Sequence, residues 1–274
     1  MVFCRHIPGK PLSWFVDWFW FYEDHFPNHR RENVLPDGTF ELVINLREET
    51  RKLFDREADS QSTSFRGGWV SGTHSGYITI DAVPGSSMIG VHFKPGGMAM
   101  FLGRPADELR DQVVQIDALW GKAGLDLRER LLTAKDPPAR FKVLETFLLG
   151  RLAPVHADRD GRISWAVSHF SSNPQGRTIR ALANGLGISH KHFISEFRER
   201  VGITPKLFCR IQRFQQVLSK IKAQHSVQWA DIATDCGYFD QSHFVNDFQR
   251  FAGINPTAFL SHDLGYPNFV QIDD

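Results

Sequence analysis

The feature that most constrains this chain is an internal repeat in its C-terminal half. Ala183 and Gly187 recur as Ala233 and Gly237, fifty residues later, and Phe193, Phe197, Gly202, Pro205 and Phe208 recur as Phe244, Phe248, Gly253, Pro256 and Phe259, fifty-one later. One residue is therefore inserted in the turn of the second copy. Each copy reads helix, tight turn, helix, tight turn, helix.

Local physical chemistry supports that reading. In the first copy Ile179, Leu182 and Leu186 form a short apolar stripe, Gly187 supplies the positive φ that ends a helix, and Ser189 stands where an N-cap oxygen is wanted. A helix from His190 then places Phe193 and Phe197 on one buried face. In the second copy Ile232, Gly237, the cap Asp240, Phe244 and Phe248 take the same parts. Both copies close on Gly-Ile-x-Pro, with Thr204 or Asn255 capping and proline at the first helical position, where its missing N–H costs nothing. Two helices joined by a short glycine turn, the second capped and polar outside, define a helix-turn-helix. Between the copies Phe208, Ile211, Phe214, Val217, Leu218 and Ile221 keep one helical face apolar. A helix from Pro205 to Ile221 would be about 25 Å long at ~1.5 Å per residue. Neighbouring major grooves on one side of DNA lie ~34 Å apart, so such a linker can serve two of them.

The first 120 or so residues read differently. Gly and Pro punctuate them at Pro36-Asp37-Gly38, Gly67-Gly68, Gly72, Gly76, Pro84-Gly85 and Pro95-Gly96-Gly97. Between these turns, Thr39 to Leu46, Gly68 to Val70, Tyr77 to Val83 and Met88 to Phe93 read as strands. Phe40, Leu42, Ile44 and Leu46 alternate with Glu41, Val43 and Asn45, which predicts one buried face. An antiparallel sandwich or barrel follows. From about residue 97 the apolar spacing becomes helical, and Pro137-Pro138 divides that region. The polar run Asp158 to Gly161 reads as a hinge, and Gly265 to Asp274 as part of an acidic tail. The expected fold class is α+β: a β-rich sensor over 1–120, a helical connector over 121–157, a double helix-turn-helix over 158–262 and the tail over 263–274.

Charge sharpens this division. The 274 residues carry a formal net charge of only +1, which argues against a nucleic-acid partner. Yet residues 177–262 hold 11 Lys and Arg against 6 Asp and Glu, a net +5, while 1–176 carry −1 and 263–274 carry −3. The basic excess sits on the repeat. Twenty-three Phe and seven Trp in a chain that is 42% hydrophobic exclude wholesale disorder. Cys4, Cys209 and Cys236, odd in number and without a CxxC, indicate neither a disulfide framework nor a cysteine zinc site. The most apolar run, Leu12 to Tyr22, has about half the ~20 residues a membrane span needs, and nothing resembles a secretory leader. A cytoplasmic protein without membrane attachment is expected.

On these motifs the chain resembles a known family. The strings IRALANGLGISHKHFISEFRERVGITPKLF and DIATDCGYFDQSHFVNDFQRFAGINPTAF look like the double helix-turn-helix domain of AraC-type (arabinose-regulator) transcription factors. VLPDGTFELVINL and GVHFKPGGMAMFLGRPADELRDQVVQIDALWG are similar to the sensor domain of a subset of them. The resemblance implies binding to double-stranded DNA, a homodimer, contact with RNA polymerase when activating, and a sensor whose small-molecule effector shifts how the DNA-binding half is presented.

The recognition helices are expected to expose His190, Lys191, Ser195 and Arg198 in the first copy, and Gln241, Ser242, Asn246 and Gln249 in the second. Gln and Asn suit adenine, Lys and Arg suit guanine, and Ser suits either. Members of the family often carry Arg where Ser195 and Asn246 stand and Lys where Gln249 stands, so no family consensus site transfers. Arg177, Arg180, Arg210, Arg213 and Arg250 are candidate phosphate contacts. His192 and His243 are expected to pack at the helix base. The aromatic cluster from Trp14 to Phe21 reads as core before ligand pocket. His74 and His92 lack an H-x-H partner and a following Glu, and His25 and His29 flank Pro27, so neither metal nor cofactor is expected. No nucleophile elbow, Walker loop or dinucleotide fingerprint occurs, and effector-binding residues are not assignable. The alternatives are a metal-dependent or hydrolytic enzyme domain fused to a DNA-targeting module, and a repressor without an effector.

Overall fold

The computed structural model describes residues 2–56, 58, 60–154, 157–176, 178–223, 228–260 and 268–272. Its strands are β1 (Val2–His6), β2 (Val16–His25), β3 (Arg31–Val34), β4 (Glu41–Asn45), β5 (Arg51–Phe54), β6 (Ser62–Phe65), β7 (Gly68–Ser71), β8 (Ile78–Asp81), β9 (Ser86–Phe93), β10 (Val113–Gln115) and β11 (Phe269–Ile272). They form two sheets, in the orders β1-β2-β9-β4-β7-β10 and β11-β3-β8-β5-β6, and the pairings are antiparallel. The α+β class with a β-rich N-terminal domain and a helical C-terminal region is what the structure has.

Alternation along β2 and β4 places the core. Phe19 and Phe21 of β2, Leu42 and Ile44 of β4, Val70 of β7 and Ile89 and Val91 of β9 are buried together. Against them pack α1 (Ala99–Leu102), α2 (Ile116–Trp120), α3 (Lys122–Thr133) and α4 (Pro137–Leu149), which contribute Phe101, Trp120, Leu127, Leu131, Phe141 and Leu144. Asp136 caps α4 by accepting from the Ala139 N–H, with Pro137 at its first position, so the Pro-Pro pair starts a helix as well as ending the previous one. The expectation of a single buried face on β4 is corrected: Val43 and Asn45 on its other face are buried too. Asn45 on that face donates to the Glu49 carbonyl at 2.8 Å and accepts from the Arg47 N–H at 2.9 Å.

The helical region comprises α5 (Ala157–Ser172), α6 (Ile179–Gly185), α7 (His190–Val201), α8 (Pro205–Ala223), α9 (Trp229–Asp235), α10 (Gln241–Ala252) and α11 (Pro256–Phe259). Its core is a chain of aromatic rings: Phe170, Phe193, Phe197 and Phe208 on one side, Phe214, Phe244, Phe248 and Phe259 on the other. Truncating one such buried phenylalanine to alanine typically costs about 3–5 kcal/mol.

Two expectations are overturned here. The run Asp158 to Gly161 is not a hinge but lies in α5, whose later turns bury Ile163, Ala166, Val167 and Phe170 at helical spacing. A polar first turn and one glycine hid that stripe. Nor is the acidic stretch simply a tail: β11 pairs with β3 from Phe269↔Val34 to Ile272↔Arg31, and Val270 joins the helical core beside Leu35. The C-terminal strand thereby ties the two halves together.

Candidate nucleic-acid interface

Both repeat copies close their turns by the same device. Gly187 (φ +71°) and Gly237 (φ +73°) adopt the left-handed conformation. The following Ile188 N–H donates to the Ala183 carbonyl at 3.2 Å, and Tyr238 N–H donates to Ala233 at 3.0 Å. Ser189 Oγ then accepts from His192 N–H at 3.2 Å, and Asp240 Oδ1 from His243 N–H at 2.7 Å, which caps α7 and α10. Helices α7 and α10 therefore start from matching scaffolds.

Beneath each helix lies an ionic anchor that sequence reading missed. Glu196 on α7 and Asp247 on α10 are buried carboxylates, fifty-one residues apart. Arg162 of α5 reaches Glu196 Oε1 at 3.1 Å, and Arg210 of α8 holds both Asp247 oxygens. His192 and His243, one turn earlier, complete each group at 3.4 and 3.8 Å. The expectation that both pack at the helix base holds only in part: His243 is half-buried, whereas His192 keeps 57% of its side chain exposed. The repeat spacing carried the signal, had charged positions been compared as the apolar ones were.

On the outer faces, Lys191, Ser195, Arg198, Gln241, Ser242, Asn246 and Gln249 are exposed and His190 is half-buried. Ser195 Oγ donates to Glu199 at 3.2 Å. Arg198 donates to Asp107 on a short turn, Ala106–Leu109, that packs against α7. Of the arginines read as phosphate contacts, Arg180 is exposed and Arg177 lies outside the described residues. Arg210 faces inward to Asp247, and Arg213 donates to the Gly237 carbonyl at 3.4 Å and lies over the Tyr238 ring. Both therefore brace the second unit. Arg250 Nε donates to the Ser75 carbonyl at 3.2 Å.

The N-terminal domain grips the helices at several further points. Gln212 and Gln215 of α8 donate to the carbonyls of Asp37 and Pro36, each at 2.8 Å. Asn33 of β3 donates to the Ala252 carbonyl at the end of α10 at 3.1 Å. Behind the Pro36-Asp37-Gly38 turn, Trp18, His92 and Glu41 stand side by side across β2, β9 and β4. The His92 ring stacks on Trp18 with centroids 4.2 Å apart, and the Trp20 indole donates to Glu41. Burial alone would discharge His92, but Glu41 at 2.7 Å from Nδ1 and Asp37 at 3.7 Å from Nε2 outweigh it and hold the imidazolium up to about 9. His74, beside Ser71 Oγ at 2.9 Å, is pushed down to about 4 by burial. Gly90 must lack a side chain, because a Cβ there would meet the Trp20 ring at 2.3 Å and the Leu42 carbonyl at 2.6 Å. Within the aromatic cluster, Phe15, Phe19 and Phe21 are core, Trp18 and Trp20 flank the charged row, and Trp14 is exposed.

Among the described residues no helix is long and apolar enough to cross a membrane, and no three His, Cys, Asp or Glu side chains are grouped to hold a metal.

A β-rich domain followed by two repeated helix-turn-helix units defines a helix-turn-helix protein. Residues 182–262 match a helix-turn-helix domain model, and 4–115 match a domain of unknown function. The transcriptional activator RhaS of Escherichia fergusonii is 28% identical over 99 residues, 34% of this chain and 32% of RhaS, so the chain spans about a third of that relative. An apo point variant of ToxT from Vibrio cholerae superposes with a TM-score of 0.48 at 13% identity, covering 88% of this chain and 96% of that one. A DNA-binding transcriptional dual regulator from Escherichia coli K-12 gives a TM-score of 0.32 at 22% identity over 36% of this chain and 87% of its own. Over its repeat the chain is therefore similar to helix-turn-helix transcription regulators.

Proposed function

We propose that this protein is a sequence-specific DNA-binding transcription regulator that reads two adjacent major-groove sites, one through α7 and one through α10. The observation that carries the reading is the pair of matching capped helices, each presenting amide, hydroxyl or cationic side chains on its outer face. They are spaced by α8, whose 19 residues span about 28 Å at ~1.5 Å each. Lys191, Ser195, Gln241, Ser242, Asn246 and Gln249 contact base edges, with His190 and Arg198 beside them. Arg180 and Arg250 contact phosphate, along with Arg177.

The N-terminal domain acts as the sensor. It holds Arg198 through Asp107 and α8 through the Pro36-Asp37-Gly38 turn. A small molecule that binds better to an arrangement in which these contacts are broken would shift the population toward a free α7. A homodimer, RNA polymerase contact and a cytoplasmic setting belong to the same proposal, which assigns no catalytic residue.

The test is selection of binding sites from random DNA, followed by titration at several salt concentrations. Lys191→Ala and Gln241→Ala are expected to weaken the selected site far more than random DNA. Equal losses on both DNAs would make these residues phosphate contacts only, and a log-affinity against log-salt slope near zero would defeat DNA binding altogether.

A further inference from the structure

The two repeat copies differ by one inserted residue, and that residue is Phe239. In the first copy the turn runs Gly187-Ile188-Ser189, and Ile188 packs on the helical core. In the second, Tyr238 takes the place of Ile188: it makes the equivalent backbone bond, is buried, and sets its ring edge-on to Phe244 with centroids 5.3 Å apart. Asp240 takes the place of the cap Ser189. Phe239 is left between a buried anchor and a cap bonded to the helix, on backbone fixed at both ends, with 93% of its surface exposed.

Single exposed apolar residues are common and need no explanation in themselves. What distinguishes Phe239 is its address. It immediately precedes the cap of the recognition helix α10 and is two positions from the exposed Gln241. Recognition helices enter the major groove with their N-terminal residues against the base edges. The apolar group offered there is the C5-methyl of thymine, which phenylalanine is suited to contact.

Resting on the DNA-binding reading above, we propose that Phe239 is a specificity-determining residue that seats against a thymine methyl beside the base read by Gln241. The inserted residue gives the second unit an apolar reading element that the first lacks. Because Phe239 carries no charge, it adds discrimination without adding counterion release.

The experiment uses the full chain and its selected site. Each thymine in the segment contacted by the second unit is replaced in turn by uracil, which lacks only the methyl group. Wild-type protein is expected to lose roughly fourfold in affinity at one such position, the worth of one buried methylene-sized group. Phe239→Ala should melt as wild type does, lose at least that much on thymine DNA, become indifferent to the uracil replacement, and keep the wild-type salt slope. Wild-type affinity for Phe239→Ala, or a loss that is the same on thymine and uracil DNA, would overturn the proposal and leave the DNA-binding reading standing. A wild-type protein with no salt-dependent DNA binding would overturn the DNA-binding reading itself, and this role with it.

Discussion

The two helix-turn-helix units obey the same local rules yet stand in different surroundings. Each has a left-handed glycine, a polar cap, a pair of buried phenylalanines and an arginine-carboxylate-histidine anchor. The first lays α7 against the N-terminal domain, where Asp107 takes up Arg198. The second is held near its C-terminal end, by Asn33 and Ser75, and leaves Phe239 of its turn in solvent. Local sequence therefore decides that both units form. Tertiary neighbours decide what each can offer to a partner.

The largest expected effect tests whether the anchors are equivalent. Asp247 keeps only 2% of its side chain exposed, against 8% for Glu196. Removing one partner of a buried pair costs about 3–5 kcal/mol, because the other charge is left uncompensated. Arg210→Ala is expected to fall in that range in urea unfolding, and Arg162→Ala to cost less. Equal losses would show that burial does not rank the two anchors.

Next in size is a contrast between the N-terminal charged row and the helical half. The folded-state pKa of His92 is raised to about 9, above the unfolded value of about 6.5. A raised pKa gives stability that is fully present below the unfolded value and lost as pH rises through the folded one. Stability should accordingly fall between about pH 6.5 and pH 9 by an amount of order 3 kcal/mol. Unfolding of His92→Gln across that window should be flat in comparison. A slope unchanged by the substitution would place the titration elsewhere.

The smallest effect concerns the hold on the first unit. The Arg198–Asp107 pair is half exposed on the arginine side, and such pairs contribute about 1 kcal/mol or less. Asp107→Ala should therefore raise affinity for the selected DNA by no more than about fivefold, and leave Gln241-dependent discrimination untouched. A decrease in affinity would mean that Asp107 positions α7 for DNA and does not withhold it.

Much of the helical half was legible because caps, glycines and apolar periodicity are short-range signals. Gly187, Ser189, Gly237 and Asp240 act as the sequence predicts. What escaped depends on residues far away in the chain. Phe269 to Ile272 is rich in strand formers but only four residues long inside an acidic stretch, and its place as β11 follows from pairing with β3. Arg210 and Arg213 read as phosphate contacts because charge alone does not disclose Asp247 or the Gly237 carbonyl opposite them. The charged row of Glu41 and His92 was split between two strands that sequence reading treated separately, although their register sets the two residues side by side. An insertion in the second turn was visible, but that the extra residue is Phe239 and is exposed follows only once Tyr238 is known to fill the core position.

The central claim is that one chain reads DNA with two units at a fixed spacing, and helical phase tests it most directly. Inserting about 5 base pairs, half of the ~10.5 in a turn, between the two protected segments of the selected site rotates one major groove to the far side of the duplex. The account predicts that affinity falls to that of a site carrying one segment alone, and recovers in part when a full turn replaces the half turn. Binding indifferent to the half-turn insertion would contradict it.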